Sequence, residues 1–89
     1  VLYDVGQMEK AEELYLTLLE KESNELDRGV YFSCLGLIKY RMSDYKQAVE
    51  YHEQAIAIRE KVLSPTDVRL ATSYNNIGLV YKNMGEYSQ

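Results

Sequence analysis

The stretch Asp44–Thr72, DYKQAVEYHEQAIAIREKVLSPTDVRLAT, decides how the chain folds. From Tyr45 to Leu63 its apolar residues recur at helical spacing. Tyr45, Ala48, Val49, His52, Ala55, Ile56 and Val62 form one stripe, with Glu50, Glu53, Arg59, Glu60 and Lys61 mostly outside it. Pro65 has no N–H to donate, so the helix stops between Leu63 and Thr66. Thr66 or Asp67 then caps the next one. Both ends of the stretch are echoed elsewhere. Leu35-Gly36-Leu37 precedes it and Ile77-Gly78-Leu79 follows it. Gly36 and Gly78 are 42 residues apart, and so are Tyr45 and Tyr87. Two registers agreeing on a period within about 20–50 residues mark a repeat array.

Outward from that stretch, the remaining helices follow the same logic. Ser43-Asp44 is a turn in which either residue can cap. Before it, a helix over about Arg28 to Met42, capped by Asp27, is apolar nearly all round through Val30, Phe32, Leu35, Leu37, Ile38 and Tyr40. Such a helix is covered on two sides. Gly36 inside it costs about 1 kcal/mol relative to Ala, and close approach of a neighbouring helix backbone is the expected return. Met8, Ala11, Leu14, Tyr15, Leu18 and Leu19 give an earlier amphipathic helix fraying at Glu22 to Asn24. Ahead of it, Val1 to Val5 is the tail of another, ended by Gly6. After the turn at Pro65, a helix over about Val68 to Met84 turns Leu70, Ala71, Tyr74, Ile77, Gly78 and Tyr81 inward. Gly85 ends it, and Tyr87-Ser88-Gln89 opens a further helix.

Composition narrows the function classes. Eighty-nine residues make at most one small domain, and an apolar fraction of 46 % excludes intrinsic disorder. The net charge of −4 weighs against nucleic acid, whose phosphates call for clustered Lys and Arg. No apolar run approaches the roughly 20 residues of a spanning helix, and no basic amphipathic stretch suggests a membrane surface. The single Cys34 cannot form an internal disulfide. Val1 without an initiator Met and without a signal-peptide pattern points to a piece of something longer, with the cytoplasm as the default setting.

Taken together, these residues resemble the tetratricopeptide repeat, in which two antiparallel helices per unit stack into a right-handed superhelix. Phe32, Leu35, Gly36, Tyr45, Ala48 and Ala55 carry the resemblance in the middle unit, and Tyr74, Ile77, Gly78, Tyr81, Gly85 and Tyr87 in the last. Gly6, Met8, Ala11, Tyr15 and Leu18 represent the second helix of a first unit. The resemblance implies an all-α fold of stacked antiparallel hairpins, divided into a partial repeat (1–24), a complete repeat (27–66) and a truncated one (67–89). The spacing exceeds the ordinary unit of about 34 residues. Forty-two is similar to the repeats of kinesin light chain-like proteins, as is Val62-Leu63-Ser64-Pro65 followed by Leu70-Ala71-Thr72-Ser73-Tyr74-Asn75-Asn76-Ile77-Gly78. Asp67-Val68-Arg69 departs from the His-Pro-Asp usual there.

No catalytic constellation stands out. Gly36 and Gly78 lack the strand-to-helix setting of a phosphate loop, His52 has no second His to make a metal site, and Cys34 has no paired base. His52 therefore reads as a satisfied packing residue, and Cys34 as a small buried one. Asn75-Asn76 is unfavourable inside a helix, so one is expected to bond a neighbouring unit and the other to face a ligand.

In the resembled family the first helix of each unit lines the concave side. Steps of four from three residues before each Gly place Ser33, Leu37 and Arg41 on that face, with Asn75, Leu79 and Asn83 in the next unit. Val30, Tyr40, Thr72 and Lys82 flank them. The resemblance implies a protein or peptide ligand there, with Asn gripping backbone amides and Arg41 and Lys82 meeting acidic groups. Neither a cofactor nor a metal is expected. The alternative is a purely structural spacer or self-association segment of a larger protein. In either case Leu14, Leu18, Tyr74, Ile77 and Tyr81 are expected to bare apolar surface at the two ends, favouring end-to-end self-association.

Overall fold

The computed structural model describes the backbone of residues 5–88 and the side chains of residues 5–85. Among these the chain forms α1 (Val5–Lys21), α2 (Glu25–Arg41), α3 (Tyr45–Val62) and α4 (Val68–Ser88), with no strand. Each helix packs on its neighbours in sequence, α2 and α3 most closely, and α2 also touches α4. Contacts between opposite ends show that every neighbouring pair is antiparallel. Lys61 at the end of α3 bonds Glu25 at the start of α2 (3.1 Å), while the Tyr40 and Tyr45 rings meet at the other end (5.7 Å between centroids). Along α1 and α2 the pairs are Glu12 with Lys39 and the Leu19 carbonyl with Arg28. The expected all-α stack of antiparallel hairpins is what forms.

The core lies where three helices meet: Leu19 of α1, Phe32 and Leu35 of α2 and Ala55 of α3, ringed by Tyr15, Tyr31, Tyr51 and Ile58. Sealing a side chain such as Leu35 from water contributes about 1.5–3 kcal/mol. On the far side of α3, the buried stripe of α4 is Leu70, Ser73, Ile77 and Val80.

Local chemistry sets the three junctions. Asn24 caps α2 by accepting from the Asp27 N–H at 3.0 Å; the expected cap, Asp27, lies inside the first turn, because the helix starts earlier than its apolar pattern. The Arg28 guanidinium closes the end of α1 by donating to the Leu19 and Glu22 carbonyls, and it also lies over the Phe32 ring. Between α2 and α3 only Met42, Ser43 and Asp44 intervene. Ser43 takes the left-handed conformation (φ 64°), its N–H donating to the Tyr40 carbonyl and that of Asp44 to the Lys39 carbonyl, the Schellman arrangement. Asp44 then caps α3, and Asp67 caps α4 by accepting from the Arg69 N–H.

Several expectations are corrected. Val1 to Asp4, most of the expected preceding helix, lie outside the described residues, and Val5 and Gly6 open α1 instead of ending another helix. Gly85 does not stop α4 either: the helix continues through Tyr87 and Ser88, and Gln89 lies outside the described residues. A glycine stops a helix by turning left-handed, and no described glycine does so. Val30 and Val62 are exposed. Arg59 is buried, because it donates to the Arg69 carbonyl and the Ser73 hydroxyl of α4. Ala71, Tyr74, Gly78 and Tyr81 point outward, since only one face of α4 meets α3. Gly36 does make close approach possible, but to the ring of His52 and not to a backbone: a Cβ there would stand 2.5 Å from its Cε1. His52 itself is fully enclosed with neither nitrogen hydrogen-bonded, so it is not satisfied.

Candidate functional site

A face that receives a partner must be accessible, and the solvent side of α2 runs through Val30, Cys34, Leu37 and Arg41. Those positions are spaced by four, three and four residues, which follows 3.6 residues per turn. Forty-two residues on, the same stripe passes through Thr72, Asn76, Leu79 and Asn83 of α4. Leu37, Arg41, Thr72, Leu79 and Asn83 were expected on it. Strict four-residue steps rotate slowly round a helix, which is why they reached Ser33 instead of Cys34. Ser33 is buried with its hydroxyl unpartnered, away from any approaching ligand. Asn75 and Lys82 are exposed beside the stripe on α4.

The helices bring some of these residues together. Asn83 donates from Nδ2 to the Tyr40 hydroxyl at 2.5 Å, joining α2 to α4 on this side. The Tyr40 ring in turn packs against Tyr45. The Thr72 hydroxyl is occupied by the Val68 carbonyl of its own helix at 3.0 Å. At the α1 end, Leu37 and Arg41 line an open cavity of about 210 Å³ with Ala11, Tyr15, Cys34 and Ile38. Its lining is mostly apolar, and Arg41 adds a cation to it.

Electrostatics around the face are set by pairing. The Lys39 ammonium bonds Glu12 at 2.9 Å, and this hydrogen bond holds its pKa above the ordinary value against the opposing effect of burial. The contact of Tyr15 with Cys34, through a side-chain hydrogen bond, is the main reason its phenol is pushed up, with burial adding to it. Sequence reading missed both pairs. Lys39 and Glu12 belong to different helices, and no spacing rule joins them before the fold is known. Cys34 had one available signal, its place three residues before Leu37 and four after Val30.

Among the described residues no cluster of His, Cys, Asp or Glu is arranged to hold a metal, and no helix is long and apolar enough to cross a membrane. His52 is enclosed beneath α2 and meets no solvent. What the accessible face offers is apolar contact from Leu37 and Leu79, amides from Asn75 and Asn83, and cations from Arg41 and Lys82. Compared with known proteins, residues 27–89 match a family model described as tetratricopeptide repeat. No curated protein and no solved structure matches significantly.

Proposed function

Because the chain belongs to the tetratricopeptide repeat family, whose repeats mediate protein–protein interactions, we propose that it binds a peptide or partner segment along the outward face of α2 and α4. The observation that carries this is the open cavity between α1 and α2, which interrupts the accessible stripe with an apolar recess at Leu37 beside the Arg41 cation. One apolar side chain of a ligand enters the recess, and an acidic neighbour meets Arg41. Further along, Leu79 continues the apolar contact and Asn75 offers its amide. Asn83, already donating to Tyr40, keeps its carbonyl oxygen for a ligand N–H. Residues 27–66 act as the complete repeat, flanked by a partial one over 1–24 and a truncated one over 67–89.

Such binding is modest in strength and depends on exposed charges, so it weakens as salt screens them. Titrating acidic peptides while following backbone amide shifts tests this. Shifts at Leu37, Arg41, Asn75 and Leu79 that fade with salt, and are lost in Leu37→Asp with Leu79→Asp, are expected. Salt-independent binding, or shifts confined to the Glu-rich outer sides of α1 and α3, would sink the proposal.

A further inference from the structure

The junction Leu63-Ser64-Pro65-Thr66-Asp67 between α3 and α4 lies outside the proposed binding face. Leu63 leaves α3 with extended backbone (φ −103°, ψ 157°). Ser64 precedes the chain's single Pro, whose ring favours extended backbone in the residue before it. Pro65 and Thr66 then form a turn, closed by the Asp67 N–H donating to the Ser64 carbonyl at 3.0 Å. Ser64, Pro65 and Thr66 are all exposed. The Ser64 hydroxyl bonds within that turn, sharing a hydrogen bond with the Thr66 hydroxyl at 3.1 Å and accepting from the Thr66 N–H at 3.3 Å.

Among the described residues no other Ser or Thr combines these properties. Ser33 and Ser73 are buried inside helices. Thr17 and Thr72 donate to carbonyls of their own helices. Ser43 is held left-handed in its tight turn, Ser23 is followed by Asn24, and Thr66 by Asp67. An enzyme that modifies a hydroxyl needs it accessible on extended backbone, and Ser64 meets that need without the unfolding of a helix. Pro65 adds selectivity. With no N–H after the acceptor, an enzyme that must hydrogen-bond that N–H is rejected, and one that packs the ring is preferred. We propose that Ser64 is a phosphorylation site for a proline-directed serine/threonine kinase. The Ser64 Oγ attacks the γ-phosphorus of ATP and forms a new P–O bond. The bond from that phosphorus to the β–γ bridging oxygen breaks, ADP leaves, and the hydroxyl proton passes to the catalytic Asp of the kinase. The product adds about −1.5 to −2 of charge at pH 7. It adds this to a turn that already holds the Asp67 carboxylate, which hydrogen bonds from Arg69 keep at a pKa of about 2. Repulsion between the two anions and competition for Arg69 act in one direction, and both raise that pKa.

Incubating the folded chain with ATP and a purified proline-directed kinase, then mapping the phosphate by peptide mass spectrometry, tests this. A synthetic peptide of residues 60–70 is treated in parallel as the unfolded reference. Phosphate on Ser64 is expected in the folded chain, in the peptide and in Thr66→Ala. It is expected to be lost in Ser64→Ala and in Pro65→Ala. Far-ultraviolet circular dichroism checks that the variants keep their helices. Label in the peptide but not in the folded chain overturns the proposal, because the turn then hides the hydroxyl. So does label in neither, label on Thr66 in place of Ser64, or full labelling of Pro65→Ala. In the phosphorylated chain, an NMR titration of the side-chain carboxyl carbons should show the Asp67 pKa moved upward. An Asp67 that titrates as in the unmodified chain would overturn the placement of the phosphate beside that carboxylate.

Discussion

Gly36 and Gly78 hold the same place in two helices 42 residues apart, and their surroundings are opposite. Around Gly36 the space a methyl group would need is filled by His52, packed between Ala48 and Ala55, all three fully buried. Around Gly78 the space is empty. One residue type at one register position therefore carries an obligatory contact in the first case and an unused one in the second. A repeat motif reports where an interface can form, and only the neighbouring helix decides whether it does.

The largest expected effect lies in the closed interface. Ala48→Leu adds bulk where nothing can yield and should cost about 1–3 kcal/mol. Its denaturant midpoint should fall clearly, and an unchanged midpoint would mean that the α2–α3 interface is no tighter than the open face.

Next comes the histidine. Burial lowers the His52 pKa from its ordinary 6.5, because the charged form cannot be solvated there. The unfolded chain therefore takes up a proton first as pH falls. Stability from this group is complete above pH 6.5 and is lost below it, at about 1.4 kcal/mol per pH unit until the folded form also protonates. Urea midpoints at pH 7 and pH 5.5 should show the drop, and His52→Phe should remove most of it. A wild-type midpoint flat over that range would show that water or a partner reaches the ring.

The smallest effects come from the glycines themselves, and they differ in sign. Gly36→Ala gains about 1 kcal/mol of helix propensity but forces His52 aside, for a net loss of about 1 kcal/mol. Gly78→Ala meets nothing and keeps the propensity gain, up to about 1 kcal/mol. Thermal melts of the two variants at low protein concentration should move in opposite directions. Equal shifts would erase the distinction between the two faces.

The four central helices, their order and the turn at Pro65 were legible because they depend on local pattern: apolar spacing, capping side chains and a missing N–H; the breaks expected at Gly6 and Gly85 were not found. The inward face of α4 was not legible. Tyr74, Gly78 and Tyr81 match the covered positions of α2, but α2 is flanked by α1 and α3 while α4 meets α3 on one side only. Ser73 and Arg59 escaped for a related reason. Each is polar and reads as surface, and burial becomes tolerable only because they bond each other at 2.8 Å across two helices. On the candidate binding face, Leu37, Arg41, Leu79 and Asn83 followed from helical geometry. The bond that ties Asn83 to Tyr40 spans 43 residues and no local rule could supply it.

The three-residue connection Met42-Ser43-Asp44 also governs how the chain acquires its structure in time. Ser43 in the left-handed conformation reverses the chain at once, so α2 and α3 meet with almost no loop to close. Contacts between sequence-adjacent elements form quickly because little chain entropy is lost before they are made. The α2–α3 hairpin, the most closely packed pair, is therefore expected to form first, with α1 and α4 docking onto it afterwards. Substitutions at Ala48 or Leu35 should slow folding, whereas those at Leu19 or Val80 should mainly speed unfolding. A chain assembled in this order can be lengthened by further hairpins without slowing the step that starts it.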